Sequence, residues 1–348
     1  MFFRDIVSGR RRGLVASAIR LLLRGAETPY RWEVQRRNRR FDRIPSSMTH
    51  VNVPVVSVGN LTLGGTGKTP FVAWLAQWFR EQGNRPVIVS RGYGSGSENV
   101  NDEALELAQR LPNVPHVQNP DRVLAAQSAI EQHGCDVIIL DDGFQHRRLG
   151  RDVDLVLIDA LEPFGFEHVF PRGTLREPLE NLKRADVVAL SRSMAVDDSV
   201  REEIRSRARQ LAPDAVWIEI DQKPTQLINS STTNQPVGSL TNMPVAAFCG
   251  IGNPEAFRST LRRCGYELVD FRAFPDHHLY SPSDLESLTA WAKQAQADAI
   301  VCTQKDLVKL PHDRLGDIPV WALQIETELL QGHKELVQQL RPLVVRLA

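Results

Sequence analysis

Val53-Pro54-Val55-Val56-Ser57-Val58-Gly59-Asn60-Leu61-Thr62-Leu63-Gly64-Gly65-Thr66-Gly67-Lys68-Thr69-Pro70 begins as a β-branched run, crosses a glycine-rich turn and enters an apolar-periodic stretch. That succession predicts a strand, a phosphate-binding loop and a helix. Glycines let consecutive backbone N–H groups point into one concavity, and the helix N-terminus adds positive potential. In such a loop Thr62, Leu63, Gly64, Gly65, Thr66, Gly67, Lys68 and Thr69 surround the phosphates. Lys68 reaches the terminal phosphates, and Thr69 offers a hydroxyl to Mg²⁺. The usual spacing, G-x-x-x-x-G-K-[ST], asks for glycine at 62. This chain has Thr62, so the loop is a Gly-Gly-Thr-Gly-Lys-Thr variant whose entry turns without that glycine. A glycine-rich turn without a ligand is the plain alternative.

Working outward, further apolar runs at Pro86 to Ser90, Asp136 to Leu140 and Asp154 to Ile158 alternate with helical patterns at Thr69 to Gln82 and Glu103 to Arg110. Buried parallel strands read this way. The repeated order predicts an α/β fold, a P-loop NTPase-like doubly wound parallel sheet with ligands at the strands' carboxyl ends. The polar stretch Asp221 to Met243, with Ser230-Ser231-Thr232-Thr233-Asn234, marks the boundary to a second, smaller α/β domain with strands at Val245 to Cys249, Ala299 to Cys302 and Val320 to Ile325. Ser283-Asp284-Leu285-Glu286 has capping-box form and predicts a helix start after Asp276-His277-His278. The expected division is 1–45, 46–228 and 229–348.

The 348 residues balance 42 Lys plus Arg against 42 Asp plus Glu, which excludes a uniformly basic nucleic-acid protein. At 42% hydrophobic, the chain can bury real cores, so disorder is excluded as its main state. Cys135, Cys249, Cys264 and Cys302 form no CxxC and read as buried small hydrophobes in a reducing compartment. No run approaches the roughly 20 apolar residues of a spanning helix, and no cleavable signal pattern opens the chain.

Charge is nonetheless uneven. Residues 1–45 carry 12 Arg against Asp5, Glu27, Glu33 and Asp42, a net charge of +8. At about 100° per residue, Leu14, Val15, Ala16, Ala18, Ile19, Leu21, Leu22 and Leu23 cover a wide apolar face, while Ser17, Arg20 and Arg24 share a narrow polar sector. A basic amphipathic helix of this kind lies in an anionic membrane surface or packs against its own domain.

Asp141-Asp142 follows Val137 to Leu140, placing two carboxylates at the mouth of a buried strand, where a metal-binding acid of a P-loop enzyme belongs. Asp142-Gly143 is equally a good turn dipeptide. Phe144-Gln145-His146-Arg147-Arg148 continues with an amide, an imidazole and two guanidiniums, suited to phosphate or simply to solvent.

Taken together, these strings resemble one family: Ser57-Val58-Gly59-Asn60 into the variant loop, Ser90-Arg91-Gly92-Tyr93-Gly94, Asp141-Asp142-Gly143-Phe144-Gln145-His146, Phe274-Pro275-Asp276-His277-His278 and Thr303-Gln304-Lys305-Asp306. The chain is similar to the tetraacyldisaccharide 4′-kinases, from the N-terminal helix to about residue 310. The resemblance implies an enzyme that uses ATP and Mg²⁺ to phosphorylate the 4′-hydroxyl of a tetraacylated glucosamine disaccharide 1-phosphate, a lipid A precursor, yielding lipid IVA. It implies work at the cytoplasmic face of the bacterial inner membrane, residues 14–24 lying in the anionic surface, with no nucleic acid and no obligate protein partner. By matching motif, Lys68 and Thr69 bind phosphates and Mg²⁺, Asp141 and Asp142 hold the metal, and His146, Arg176 and Glu177 support the nucleotide site. The family's catalytic acid falls at Asn101-Asp102-Glu103, with asparagine where the family has glycine, so Asp102 becomes the base candidate. His277 would pair with it from the smaller domain, with His278 an adjacent alternative.

On the residues alone, Asp102 is also an ordinary first-turn helix acid, His277 a loop histidine, and Arg176 with Glu177 a surface pair. Two other classes stay open. A membrane-associated nucleotide-switch ATPase or GTPase could use the same loop, although Leu63 stands where a signature lysine often does. Thr303-Gln304-Lys305-Asp306 loosely resembles a guanine-reading Thr-x-x-Asp. A scaffold with a degenerate nucleotide site is the non-catalytic reading.

Overall fold

The structure is a computed structural model that describes residues 2–92, 102–231 and 233–345. Tyr93, Gly94, Asn101 and Thr232, which belong to stretches read above, lie outside the described residues. The chain forms two compact units. The first comprises residues 1–91, 113–221 and 328–348, and the second residues 92–112 and 222–327. Both units are discontinuous, a feature that the chain-order division at 228 does not anticipate.

In the first unit seven strands run parallel: β1 (Val55–Asn60), β2 (Pro86–Ser90), β3 (His116–Gln118), β4 (Val137–Asp141), β5 (Val153–Asp159), β6 (Val187–Ser191) and the first half of β7 (Val216–Ile228). Their spatial order is β7-β6-β5-β1-β4-β2-β3. Every residue of β1, β2, β4, β5 and β6 is buried, as expected of strands covered on both faces. Side chains of β1, β2 and β4 pack with Val123, Ala125, Ala126 and Ala129 of the helix Arg122–His133, while Val156, Ile158, Val188 and Leu190 pack with Ile204 and Ala208 of the helix Asp198–Leu211. The chain leaves central β1 for β2 and later returns to both sides of it, which makes the carboxyl end of β1 the place for a ligand.

Two helices precede this sheet, α1 (Phe2–Val7) and α2 (Leu14–Arg43). The helix expected over 14–24 thus continues for 30 residues, through Pro29. Its buried residues are Ala16, Glu27, Val34 and Asn38. Leu14, Val15, Leu21 and Leu22 are 72–91% exposed. A soluble helix would bury that face; here the polar edge, Ser17 and Arg20, carries the hydrogen bonds to neighbouring backbone and side chain instead.

In the second unit four strands run parallel. With β8 (Asn234–Pro236), β9 (Pro244–Cys249), β10 (Glu267–Ala273), β11 (Ala299–Thr303), β12 (Arg314–Leu315) and β13 (Ile318–Gln331), the order is β10-β9-β11-β13, and β12 pairs antiparallel to β13. The polar stretch after Asp221 is folded rather than a loose linker. The second half of β7 is partly exposed up to Gln226, ends on the adjacent buried pair Leu227 and Ile228, and pairs antiparallel with β8. The capping box also falls earlier than expected. Ser281 and Asp284 form it, with Pro282 at the first helical position of Pro282–Gln294, because Ser281 supplies both the extended backbone and the hydroxyl that a cap requires. All four cysteines are free, and three are buried. Among the described residues no helix is long and apolar enough to cross a membrane.

Candidate active site

In the first unit β1 runs into the glycine-rich loop, and α3 (Lys68–Glu81) leaves it. Thr62, at the position of the missing glycine, forms an antiparallel bridge with Leu175. Leu63 N–H donates to the Thr174 carbonyl (2.7 Å) and Arg176 N–H to that of Leu61 (2.7 Å). Backbone held in such a bridge is extended, a conformation any residue adopts, so threonine serves where other loops need glycine. The glycines are required later, at Gly64 (φ 110°) and Gly67 (φ 84°). Gly67 caps α3 without any side-chain cap, leaving the first amides of the helix open to a ligand.

Ser191, the last residue of β6, and Arg192, the next, hold this loop from outside. Ser191 Oγ donates to the Thr66 carbonyl (2.8 Å), and Arg192 Nη2 to the Gly65 carbonyl (2.8 Å). Arg192 is itself ion-paired to Asp159 at the end of β5. In a trans peptide the N–H opposes the C=O, so pinning these carbonyls outward turns the amides of Thr66 and Gly67 to the other side. Thr66 is buried, and its Oγ1 has no hydrogen-bond partner among the described residues.

Lys68 Nζ lies 3.1 Å from Asn60 Oδ1 and 3.4 Å from Asp142 Oδ1. Arg176 Nη1 is 2.8 Å from both Asp142 oxygens and 3.2 Å from Gln145 Oε1. Burial opposes the Asp142 charge, but Lys68 and Arg176 outweigh it and hold the carboxyl far below the usual range. Asp142 adopts a left-handed conformation (φ 53°), the turn expected of Asp142-Gly143, while Asp141 ends β4 and is buried. Thr69 is partly buried in the first turn of α3. No cluster of three or more metal-ligating His, Cys, Asp or Glu occurs among the described residues. A hydroxyl and one or two carboxylates suit Mg²⁺, a hard cation that keeps several waters and takes its remaining ligands from phosphates.

Glu177 lies 1% exposed and accepts from Asn38, Gln145, Asn181 and Arg184. With its oxygens so occupied, it orients Gln145, whose amide also donates to the Asn60 carbonyl. His146 is partly buried, its Nε2 has no hydrogen-bond partner among the described residues, and its pKa is lowered to about 4 by burial and the charges of Arg122, Arg151 and Arg148. A neutral imidazole results at physiological pH.

The second unit holds the other candidates. Asp102 opens α4 (Asp102–Arg110) and is buried. His277 Nδ1 lies 3.0 and 3.1 Å from its oxygens, with Lys309 Nζ at 3.3 Å and Lys305 Nζ at 3.9 Å. Burial raises the Asp102 pKa, but His277, Lys305 and Lys309 together lower it to about 2; the bond to Asp102 raises that of His277. His278 is elsewhere engaged, stacked on Phe274 and bonded to Asp284 at 3.2 Å, so of the two histidines His277 is the one that meets Asp102. Asp306 is fully buried and accepts from Gly250 N–H, Tyr280 and Thr303. Those bonds brace the loop that carries His277 and leave no carboxylate for reading guanine.

Asn60, Ser191, Arg192, Lys305 and Lys309 were not expected as site residues. Lys305 belongs to a string quoted above, and a polar pair at the end of a buried apolar run, as at Ser191-Arg192 after Val187-Val188-Ala189-Leu190, is the signal that could have found the other two.

A family model described as tetraacyldisaccharide-1-P 4′-kinase matches residues 19–344. The tetraacyldisaccharide 4′-kinase of Syntrophus aciditrophicus is 39% identical over 335 residues, covering 89% of each chain. That of Halothermothrix orenii is 37% identical over 321 residues, 83% of each. A crystal structure of LpxK from Aquifex aeolicus in complex with ATP is similar at a TM-score of 0.73 and 29% identity, covering 94% of this chain and all of that one.

Proposed function

The chain belongs to the tetraacyldisaccharide 4′-kinase family, and we propose that within it Lys68 and the loop amides hold the triphosphate of ATP while Asp102 and His277 serve the acceptor hydroxyl. The protein is an ATP-dependent kinase that phosphorylates the 4′-hydroxyl of a tetraacylated disaccharide 1-phosphate, a step of lipid A synthesis. The single observation carrying the residue assignment is Lys68, held between Asn60 and Asp142 at the open N-terminus of α3. Lys68 can trade its carboxylate for a phosphate, since Arg176 Nη1 holds both oxygens of Asp142.

Thr69, Asp141 and Asp142 are the residues that would hold Mg²⁺, which when bound neutralises charge on the transferring phosphoryl group. Lys68 then leaves Asp142 for the phosphate oxygens, and Arg176 keeps Asp142 in place. The outward-pinned carbonyls of Gly65 and Thr66 present their amides without reorganisation at the moment of reaction, which is where electrostatic catalysis gains most. Asp102 is ionised at every physiological pH and, at a pKa of about 2, is a weak base. In a loose phosphoryl-transfer transition state the hydroxyl proton leaves late, so Asp102 acts first by aligning the hydroxyl and accepts the proton afterwards, with His277 fixing its rotamer. The exposed Leu14, Val15, Leu21 and Leu22 of α2, with Arg10, Arg11, Arg12, Arg20 and Arg24 close by in sequence, fit attachment to the anionic cytoplasmic leaflet of the inner membrane, where the acylated acceptor resides.

Mass spectrometry of the lipid after incubation with ATP and Mg²⁺ tests the reading. Addition of one phosphate by the wild type and its loss in Lys68→Ala are expected, and an unmodified lipid with wild-type enzyme rejects it.

A further inference from the structure

Arg20 Nη1 donates to the carbonyls of Ile6 (3.2 Å) and Arg11 (3.0 Å), and Nη2 to Ser17 Oγ (3.1 Å). Arg172 Nη1 donates to the carbonyl of Val7 (3.0 Å). Two guanidiniums from distant parts of the chain thus gather at consecutive carbonyls ending α1, and the charge of Arg24 bears on the same place. Burial, then the charges of Arg20 and Arg24, lower the pKa of Arg172, with Glu27 opposing. No carboxylate pairs with Arg20, Arg24 or Arg172 among the described residues, and Glu27 is already bonded by His168 and the Val169 amide.

Three like charges face the one carboxylate of Glu27, itself engaged by His168 and the Val169 amide, so the cluster stays net positive, which costs free energy and suits an anion. Each guanidinium uses part of its fork on carbonyls and keeps N–H groups for an occupant. Tetrahedral phosphate, with several acceptor oxygens, fits that arrangement better than a single carboxylate.

Placement argues for whose phosphate it is. Arg4 of α1 approaches the phosphate loop, for a Cβ at Gly64 would sit 3.3 Å from its Nη2. Ile6 and Val7 follow on the same helix, about 3–4.5 Å of rise further on. The rise plus one arginine side chain is comparable with two linked sugar rings. Leu21 and Leu22, next to Arg20 on α2, are exposed.

We propose that Arg20 and Arg172, flanked by Arg24, clamp the phosphate already present at position 1 of the acceptor, so that the enzyme measures its substrate from that phosphate to the hydroxyl it modifies. The assignment rests on the kinase reading above and adds a specificity site to it. Selection of a phosphorylated headgroup follows, because charge-assisted bonds to a phosphomonoester are absent with its dephosphorylated counterpart.

The test compares kcat/KM for the acylated disaccharide 1-phosphate and for the same lipid lacking the phosphate, in mixed micelles, for wild type, R20Q/R172Q and R20K/R172K. The wild type should prefer the phosphorylated acceptor by on the order of 10–100-fold. In R20Q/R172Q that ratio should fall toward one, with R20K/R172K between. An unchanged ratio, or equal loss on both acceptors, overturns the clamp. Binding of soluble glucosamine 1-phosphate, followed by phosphorus NMR, separates this from the kinase reading. Loss of that binding in R20Q/R172Q supports the clamp even should wild-type enzyme phosphorylate neither lipid. Binding that survives the substitution rejects it whatever the activity. Inorganic phosphate competing as well as the sugar phosphate overturns the headgroup assignment in favour of free phosphate.

Discussion

His277 Nδ1 sits 3.0 Å from Asp102 Oδ1 across 175 residues of sequence, and each partner moves the other's ionisation in the direction that keeps the pair charged. Asp102 titrates at about 2 instead of 3.8, so its share of stability is complete above about pH 4 and is lost as pH falls through 2. His277 titrates above 6.5, so its share is complete below that value and is lost as pH rises through the raised one. His277→Gln should therefore lower Tm most between about pH 4 and 6.5, with the gap to wild type closing in both directions. Thermal melts from pH 2 to 9 check this. A gap that stays constant over that range would mean His277 contributes by packing alone.

Lys68→Ala should lower kcat by at least about 10²–10³, the usual cost of losing one preorganised donor to a transferring group. Folding should be nearly unaffected, because Asp142 keeps both bonds from Arg176. Arg176→Ala should do the reverse in part. It leaves Lys68 locked to Asp142 and raises the KM for ATP, since among the described residues Lys68 is then the cation left to that carboxylate. Steady-state kinetics with Tm as control separates the two outcomes, and equal KM values for both variants would reject the division of labour.

Much of this site is legible in sequence because its chemistry is local. A loop with Gly64, Gly67, Lys68 and Thr69 declares itself over a dozen residues, and Asp141-Asp142 ends a run of buried apolar residues. Asp102 is legible only by likeness, since a first-turn acid has an ordinary explanation and its distinguishing partners, His277, Lys305 and Lys309, arrive from the far end of the chain. Residues 92–112 could not be assigned to the second unit from pattern alone, because periodicity reports burial and not which core does the burying. Strands β6, β7 and β10 escaped for different reasons. β6 follows directly on a helical turn, whereas the apolar residues of β7 and β10 are interrupted by charged ones.

Ser191→Ala removes the donor to the Thr66 carbonyl while leaving the Arg192–Asp159 pair intact. One net hydrogen bond predicts a rise in KM for ATP of about 2–10-fold. Because the bond orients an amide toward phosphate rather than toward the sugar, KM for the lipid should hold steady. A variant that raises both constants alike, or only lowers Tm, would show the hydroxyl to be a packing group.

Thr62→Gly restores the glycine of the usual loop and should nevertheless destabilise, by about 0.5–1 kcal/mol, because the extended bridge to Leu175 gains nothing from glycine and the unfolded chain gains freedom. Gly64→Ala should cost more, since φ of 110° is strained for any residue with a Cβ. Urea denaturation of the two variants gives the order, and a Thr62→Gly protein more stable than wild type would contradict the extended entry.

Leu21 and Leu22 are 72% and 75% exposed, so Leu21→Glu/Leu22→Glu removes no core contact and should leave stability within about 0.5 kcal/mol of wild type. Membrane attachment is a different matter. Burying a leucine side chain contributes about 1.5–3 kcal/mol, and two such residues lost at an interface should weaken partition onto vesicles by at least about 10²-fold. Phosphatidylglycerol vesicles should show the loss even though the arginines of residues 1–45 remain, because adding two acids changes the net charge of that segment only from +8 to +6. Sedimentation with phosphatidylglycerol and with phosphatidylcholine vesicles separates charge from insertion. Undiminished binding of the double variant to phosphatidylglycerol would assign attachment to the arginines alone and leave the outward leucines of α2 unexplained.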